Sequence, residues 1–228
     1  MYSTVFVYSN YTLEIPSWEI FLGKVWSQLK RFMLQISSFH QTELEMHQEV
    51  KIIELCKENP NYFGPIYQKY FEQIYKFVYR RVNDYETADD VTSLVFIKAL
   101  GNIHKYEFKG VPFSSWLYRI ASNEINQYFR NKQKEERIVT FHTESVPDIM
   151  TELEFDEPVD DPVEAIAAVF ERLESEDVEI LELRFFENRS FKEIGEILGI
   201  SDGNAKIKTY RVLKKAKGIL IQNIKGKK

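Results

Sequence analysis

Apolar residues recur at spacings of three and four along most of the chain, which predicts helices separated by short polar or glycine-marked breaks. The clearest case is SFKEIGEILGISDGNAKIKTYRVLKKAK, residues 190–217. Ser190 and Glu193 have the form of a capping box, in which each side chain satisfies a free backbone N–H at a helix start. Phe191, Ile194 and Leu198 share one face of the helix that follows, and Gly199 supplies the positive φ that ends it. Ser201 is a second N-cap candidate. The helix it opens carries Ala205, Thr209, Val212 and Ala216 on one face, with Leu213 at its edge, and Lys206, Ile207, Tyr210, Arg211 and Lys214 on the other. Two helices joined by a tight turn form the helix-turn-helix arrangement, whose second helix enters the major groove.

The same periodicity predicts a helix over 43–58, a break at Asn59-Pro60-Asn61 and a long helix through Val82. In the long helix Ile66, Tyr70, Ile74 and Phe77 recur beside Tyr67, Phe71, Tyr75 and Val78. Such an aromatic stripe can stack on bases, but at helical spacing it reads as core. A helix over 87–101 turns Val91, Val95 and Ala99 inward and sets Asp89 and Asp90 near its positive end, either as dipole partners or as a negative ledge for a basic partner. The loop Phe108, Lys109, Gly110, Val111, Pro112 leads to another helix, whose apolar side holds Phe113, Trp116, Leu117, Ile120, Ile125 and Tyr128. Its other face is polar, with Arg119, Ser122, Asn123, Asn126 and Arg130, and runs on to Lys132, Lys134 and Arg137. Donor-rich faces of this kind suit phosphates and base edges. Near the C-terminus a helix opened by Ser175 presents Val178, Leu181, Phe185 and Phe186 as a roof for the helix-turn-helix.

Charge sharpens this picture. From Gly203 to Lys228 there are nine Lys or Arg residues and no acid, an asymmetry that fits a polyanion better than a merely solvated hairpin. The net charge of -5 conceals that segregation, because local patches govern contact. Between Ile138 and Val163 there is no Lys or Arg, while nine acids lie between Glu144 and Glu164 and prolines stand at 147, 158 and 162. That composition predicts a flexible linker without a packed core of its own. At 228 residues, 44% hydrophobic and 29% charged, the chain has room for one large or two small globular domains. The expected class is all-α.

Other chemistries find little support. Cys56 is the only cysteine, which excludes an intramolecular disulfide and a cysteine-rich zinc site and suits a reducing cytoplasm. His40, His47, His104 and His142 are scattered, and no Gly-rich phosphate loop is present, so neither an enzyme nor a cofactor, metal or small-molecule site is expected. No apolar run of about 18 residues predicts a membrane span, and the N-terminus lacks the basic start of a signal peptide. Residues 1–15 show no clean period. Pro16 and Ser17 could start a helix over 17–37 striped with Trp18, Leu22, Val25, Trp26, Leu29, Phe32, Met33 and Ile36. That stripe packs on the following domain, binds a partner, or precedes a true start at Met33 or Met46.

Taken together, residues 43–220 resemble bacterial sigma factors of the extracytoplasmic-function (ECF) group, the small initiation subunits of RNA polymerase. YETADDVTSLVFIKAL (85–100) is similar to the family segment that grips core polymerase, which implies contacts from Asp89, Asp90, Ser93, Leu94, Ile97 and Lys98. FSSWLYRIASNEINQYFR (113–130) resembles the segment that melts and reads the minus-10 element. Phe108, Lys109, Gly110, Val111 and Pro112 match the loop that holds a flipped base, and Asn123 matches a position reading the same element, with Arg119, Ser122, Asn126 and Arg130 beside it. Residues 183–217 look like the minus-35 reader. There Lys206, Ile207, Tyr210 and Arg211 would meet base edges, and Asn204, Lys208, Lys214 and Lys215 complete the DNA-facing set.

The resemblance implies a region 2-like domain over 43–137, an acidic linker over 138–163, a region 4-like domain over 164–222 and a basic tail. It implies core RNA polymerase and promoter DNA as partners, allows an anti-sigma protein as a third, and has the connector follow the path of nascent RNA. Ser93 and Leu94 depart from the usual Gln and acid, and Asn204 and Ile207 replace small hydroxylated residues. Residues 1–42 have no counterpart. A stand-alone regulator would account for the helix-turn-helix but not for the polar, basic helix over 113–137.

Overall fold

The computed structural model describes residues 7–8, 11–12, 42–132, 145–153 and 159–226. The chain divides into two compact units, 1–42 and 43–228. In the first, strands β1 (Val7–Tyr8) and β2 (Tyr11–Thr12) pair antiparallel, Val7 opposite Thr12 and Tyr8 opposite Tyr11. This short ladder, in a stretch whose β-branched and aromatic residues showed no period, is the one departure from helix among the described residues. The expected helix over 17–37 lies outside the described residues.

The second unit is all-helical. Helix α1 (Glu43–Glu58) leads through a 3-10 turn (Pro60–Phe63) into α2 (Gly64–Val82), with Asn59 capping the turn by accepting from Asn61 N at 3.0 Å. Asn83 adopts the left-handed conformation (φ 50°) that ends α2, and Asp84 accepts from Thr87 N at 2.9 Å to begin α3 (Tyr85–Gly101). Two residues therefore suffice to fold α3 back beside α2. Helix α4 (Phe113–Lys132) follows a loop that contains a second 3-10 turn, Ile103–Lys105. Ile66, Tyr70, Ile74, Phe77, Val91, Val95, Ala99, Leu117 and Ile125 interlock as the core of this half, as their spacing predicts.

The aromatic row on α2 divides by depth. Tyr70 and Phe77 are buried, Phe71 and Tyr75 half-buried and Tyr67 exposed. Phe71, Tyr75, Tyr79 and Tyr85 stack in sequence, with centroids 6.0, 6.2 and 4.7 Å apart.

The acidic stretch departs from the expectation of an unpacked spacer. Residues Val146–Glu152 form helix α5, and Val146, Ile149 and Leu153 are buried. Their three- and four-residue spacing is an amphipathic stripe that the surrounding acids obscured. Asp161 then accepts from Val163 N and Glu164 N at 2.9 and 3.0 Å to cap α6 (Pro162–Glu171). Helix α7 (Ser175–Leu181) continues into a π-helical turn (Glu182–Phe186), and α8 (Phe191–Leu198) and α9 (Asp202–Gly226) complete the chain. Val178, Leu181, Phe185 and Phe186 are buried, which makes α7 and its turn the expected roof of the helix-turn-helix.

Candidate nucleic-acid interface

The helix-turn-helix is held by local chemistry that its sequence announces. Glu193 N donates to Ser190 Oγ at 3.3 Å and Ser190 N donates to Glu193 Oε2 at 3.0 Å, completing the capping box. Gly199 ends α8 with φ 70°. Gly195 escaped the sequence reading: a Cβ there would stand 2.8 Å from Ile200 O and 3.1 Å from Asp202 N, so only glycine lets α8 approach the turn this closely. Asn204 N donates to Ser201 Oγ at 3.2 Å, the expected cap of α9.

Ala205, Thr209, Val212, Leu213 and Ala216 are buried, which fixes the rotation of α9. Asn204, Lys206, Ile207, Tyr210, Arg211, Lys214 and Lys215 consequently face solvent, Ile207 at 58% and Tyr210 at 50% exposure. Among the described residues, Lys206, Arg211 and Lys214 have no ion-pair partner. Lys208 and Lys215 do: they reach Glu176 at 3.2 Å and Asp177 at 2.7 Å on α7.

A second surface lies on α3. Asp89, Asp90, Ser93, Leu94, Ile97 and Lys98 are all exposed, with Ile97 at 66%. Lys98 is tied to Glu124 of α4 at 2.6 Å. Two carboxylates, an exposed apolar ridge and no burial against the fold suit a protein partner better than dipole compensation alone.

The loop and α4 form the third surface. Glu49 of α1, buried, accepts from Tyr70 OH at 2.5 Å and from Lys69 Nζ at 2.8 Å, and lies 3.4 Å from Phe113 N, tying the start of α4 to the core. Phe108 is half-buried against His47, ring centroids 5.7 Å apart, and Val111 is buried. Gly110 has φ 68°, the left-handed turn that brings Lys109 and Pro112 around a pocket of about 200 Å³. Tyr106, Trp116 and Arg119 line that pocket, and so does Glu196 of α8. Along α4, Arg119, Asn123 and Arg130 are exposed and Asn126 is half-buried.

Ser122 differs from expectation. It is buried, and its hydroxyl donates to Glu179 of α7. The cause is that the C-terminal half packs against α4 and α2 along an edge that includes Ser122, while Arg119, Asn123 and Arg130 stay exposed. Arg81 donates to Glu182 at 2.9 Å, Arg80 pairs with Glu187, Tyr118 OH donates to Glu187, and Arg189 donates to Ser114 Oγ at 3.1 Å. The Arg189 guanidinium also lies 4.6 Å from the centre of the Tyr118 ring. At the rim, Lys109 and Arg119 reach Glu196 at 2.8 and 3.5 Å, and Lys192 donates to Gly110 O at 2.7 Å. Burial raises the Glu182 carboxyl, opposed by Arg81 and Arg80, and raises the Tyr118 phenol, opposed by Arg189 and Arg80.

Comparison with known proteins decides what these surfaces belong to. The Sigma-70 region 2 model matches residues 66–135, and the Sigma-70, region 4 model matches residues 164–215. The chain belongs to the ECF sigma factors of RNA polymerase. It is 28% identical over 157 residues to the ECF RNA polymerase sigma factor BldN of Streptomyces coelicolor, covering 67% of this chain and 58% of that protein. With the ECF RNA polymerase sigma factor SigW of Bacillus subtilis it shares 26% over 183 residues, 74% of this chain and 94% of that one. The fold is also that of the sigma factor RpoE from Bartonella quintana, solved in complex with the anti-sigma factor NepR: TM-score 0.50, 16% identity, 69% of this chain and 96% of that one. A sigma factor is not an enzyme; it binds core RNA polymerase and promoter DNA and directs promoter-specific initiation. Among the described residues no helix is long and apolar enough to cross a membrane.

Proposed function

We propose that this sigma factor reads the minus-35 element with α9, the minus-10 element with the 108–112 loop and α4, and grips core polymerase with α3. The observation that carries the first assignment is the exposed face of α9, where unpaired Lys206 and Arg211 flank the large apolar groups of Ile207 and Tyr210. Arg and Lys donate to guanine O6 and N7, while Ile207 and the Tyr210 ring suit a thymine methyl. Asn204 and Lys214 flank that face, and Lys208 and Lys215 reach phosphates after exchanging their α7 carboxylates for DNA. For minus-10 reading, the loop Phe108, Lys109, Gly110, Val111 and Pro112 supplies the base pocket, with Lys109, Val111 and Pro112 in its lining, and Arg119, Asn123, Asn126 and Arg130 offer the strand path along α4, with Ser122 beneath it.

On α3, Asp89, Asp90, Ser93, Leu94, Ile97 and Lys98 supply a mixed acidic and apolar ridge to polymerase. The cytoplasm is the compartment this work requires. An anti-sigma protein of the kind that holds the Bartonella relative is a further partner. The test is to mix purified chain with sigma-free core polymerase and genomic fragments. Promoter-dependent RNA should form, and Lys206→Ala or Arg211→Ala should change which fragments are used. RNA that needs a different sigma subunit would refute the assignment.

A further inference from the structure

Tyr210 presents its ring on the exposed face of α9, and that ring leans on a residue of the preceding helix. Its centroid lies 6.2 Å from that of Phe191, the first residue of α8, with the two planes tilted by 43°. Phe191 is half-buried against the core, and the Arg184 guanidinium stands 5.0 Å from the centre of its ring. Arg184 is held in turn, because its Nη1 donates to Arg189 O at 3.1 Å. We propose that Phe191 is a positioning residue for promoter recognition: it fixes the Tyr210 ring against one thymine methyl of the minus-35 element and so sets the preference for that base. It acts through Tyr210 rather than through a DNA contact of its own. This rests on the assignment of α9 to minus-35 reading.

The two large groups on the reading face differ in what they need. Ile207 is branched at Cβ, which restricts its first torsion without help from neighbours. Tyr210 is half in solvent, and an exposed ring on a helix samples several rotamers. A thymine methyl is a small target, so a ring spread over those rotamers would meet it seldom and would lose freedom on binding. An aromatic neighbour within the range of about 4.5–7 Å that ring pairs prefer removes part of that freedom before DNA arrives. Phe191 can serve because its own place is fixed from several sides. The capping box of Ser190 and Glu193 sets the backbone where α8 begins, and Arg189 Nη1 donates to Glu193 Oε1 at 3.1 Å. Arg189 thus anchors the frame twice, through its side chain to the cap and through its carbonyl to Arg184. The Arg184 cation then holds the Phe191 ring from another direction by its attraction to the π-system.

The experiment uses holoenzyme assembled with the full chain. The probe is a fluorescent promoter fragment that this holoenzyme selects from genomic DNA, with each thymine of the minus-35 element replaced in turn by deoxyuridine, which removes the methyl alone. One replacement should weaken wild-type binding about three- to fivefold, the worth of a buried methyl, and Tyr210→Ala should erase that preference. Phe191→Leu keeps an apolar group at the half-buried position but no ring, and should narrow the same preference to within about twofold while the salt dependence stays that of the wild type. Phe191→Tyr, which keeps the ring, should restore it. With Tyr210→Ala already present, Phe191→Leu should change the preference no further. Circular dichroism reports whether the leucine variant folds, and Phe191→Met, equally without a ring, makes the same comparison if it does not. A full thymine preference in Phe191→Leu would overturn the proposal. Equal weakening on every probe, or a further loss of preference in the Tyr210→Ala background, would do the same. If Tyr210→Ala leaves the thymine preference intact, the assignment of Tyr210 to base reading fails and the proposal with it, an outcome distinct from one in which Tyr210 matters and Phe191 does not.

Discussion

Replacing Arg81 with Met probes the most deeply buried ion pair among the described residues. Arg81 Nη1 lies 2.9 Å from Glu182 Oε2, with side chains 4% and 1% exposed. At that separation and an effective dielectric near 20, the gross attraction is about 6 kcal/mol, offset by several kcal/mol of desolvation for each ion. Arg81→Met removes the attraction and leaves Glu182 buried, a loss of about 3–5 kcal/mol for pairs of this kind. The paired change Arg81→Met with Glu182→Leu removes both charges and should recover most of the loss. Separation of the halves offers Glu182 a way back to water, so the measured loss is capped by the free energy that holds them together. Urea unfolding followed by circular dichroism measures the effect, with Glu72→Ala on the exposed Lys76 pair as a control that should leave the midpoint in place. If Arg81→Met unfolds at the wild-type midpoint, or the paired change is as damaging as the single one, the burial argument is wrong.

Four further outcomes follow from the geometry. Arg211→Ala should relax preference at one base position and weaken binding by about 1–3 kcal/mol, measured by anisotropy on a base-substituted minus-35 series; Lys215→Ala should act evenly on all sequences and flatten the salt dependence, less than for a free lysine because Asp177 already holds it. Charge reversal at Asp89 and Asp90 should abolish co-purification with core polymerase while the circular dichroism spectrum is unchanged. Gly195→Ala should lose about 1–3 kcal/mol and lower the melting temperature of the C-terminal half, because its methyl meets backbone at 2.8 Å. Burial raises the Tyr118 phenol above its ordinary value near 10, so its contribution to stability is whole below that value and is lost as pH rises through the folded one. Alkaline unfolding should therefore move in Tyr118→Phe, and tyrosinate absorbance should show one fewer late-titrating group in that variant than in the wild type, where Tyr75, Tyr79 and Tyr106 are raised as well.

Much of this was legible because the chain states it locally. Capping boxes, glycine at helix ends and three-four spacing depend on neighbours in sequence, so α1–α4 and α7–α9 and the buried and exposed faces of α9 follow from the residues. Helix α5 did not, because its stripe of Val146, Ile149 and Leu153 is short and set among acids. The burial of Ser122 was hidden for a different reason. A serine on a polar helix face reads as solvated, and only the long-range pairing with Glu179, 57 residues away, buries it. Arg80 and Arg81 stand in the last turn of α2, and their partners Glu187 and Glu182 lie about a hundred residues further on. Long-range polar pairing leaves no period in a single sequence. The departure of Gly195 from ordinary packing was likewise invisible, since a helix-interior glycine has the same spelling whether or not a turn presses on it.

The most direct test of the central claim is transcription by sigma-free core polymerase on genomic fragments, with and without this chain. Promoter-dependent RNA should appear only when the chain is added, with upstream protection that Arg211→Ala weakens at the minus-35 element alone. The same RNA without the chain, or protection at minus-35 that ignores Lys206, Tyr210 and Arg211, would contradict the account.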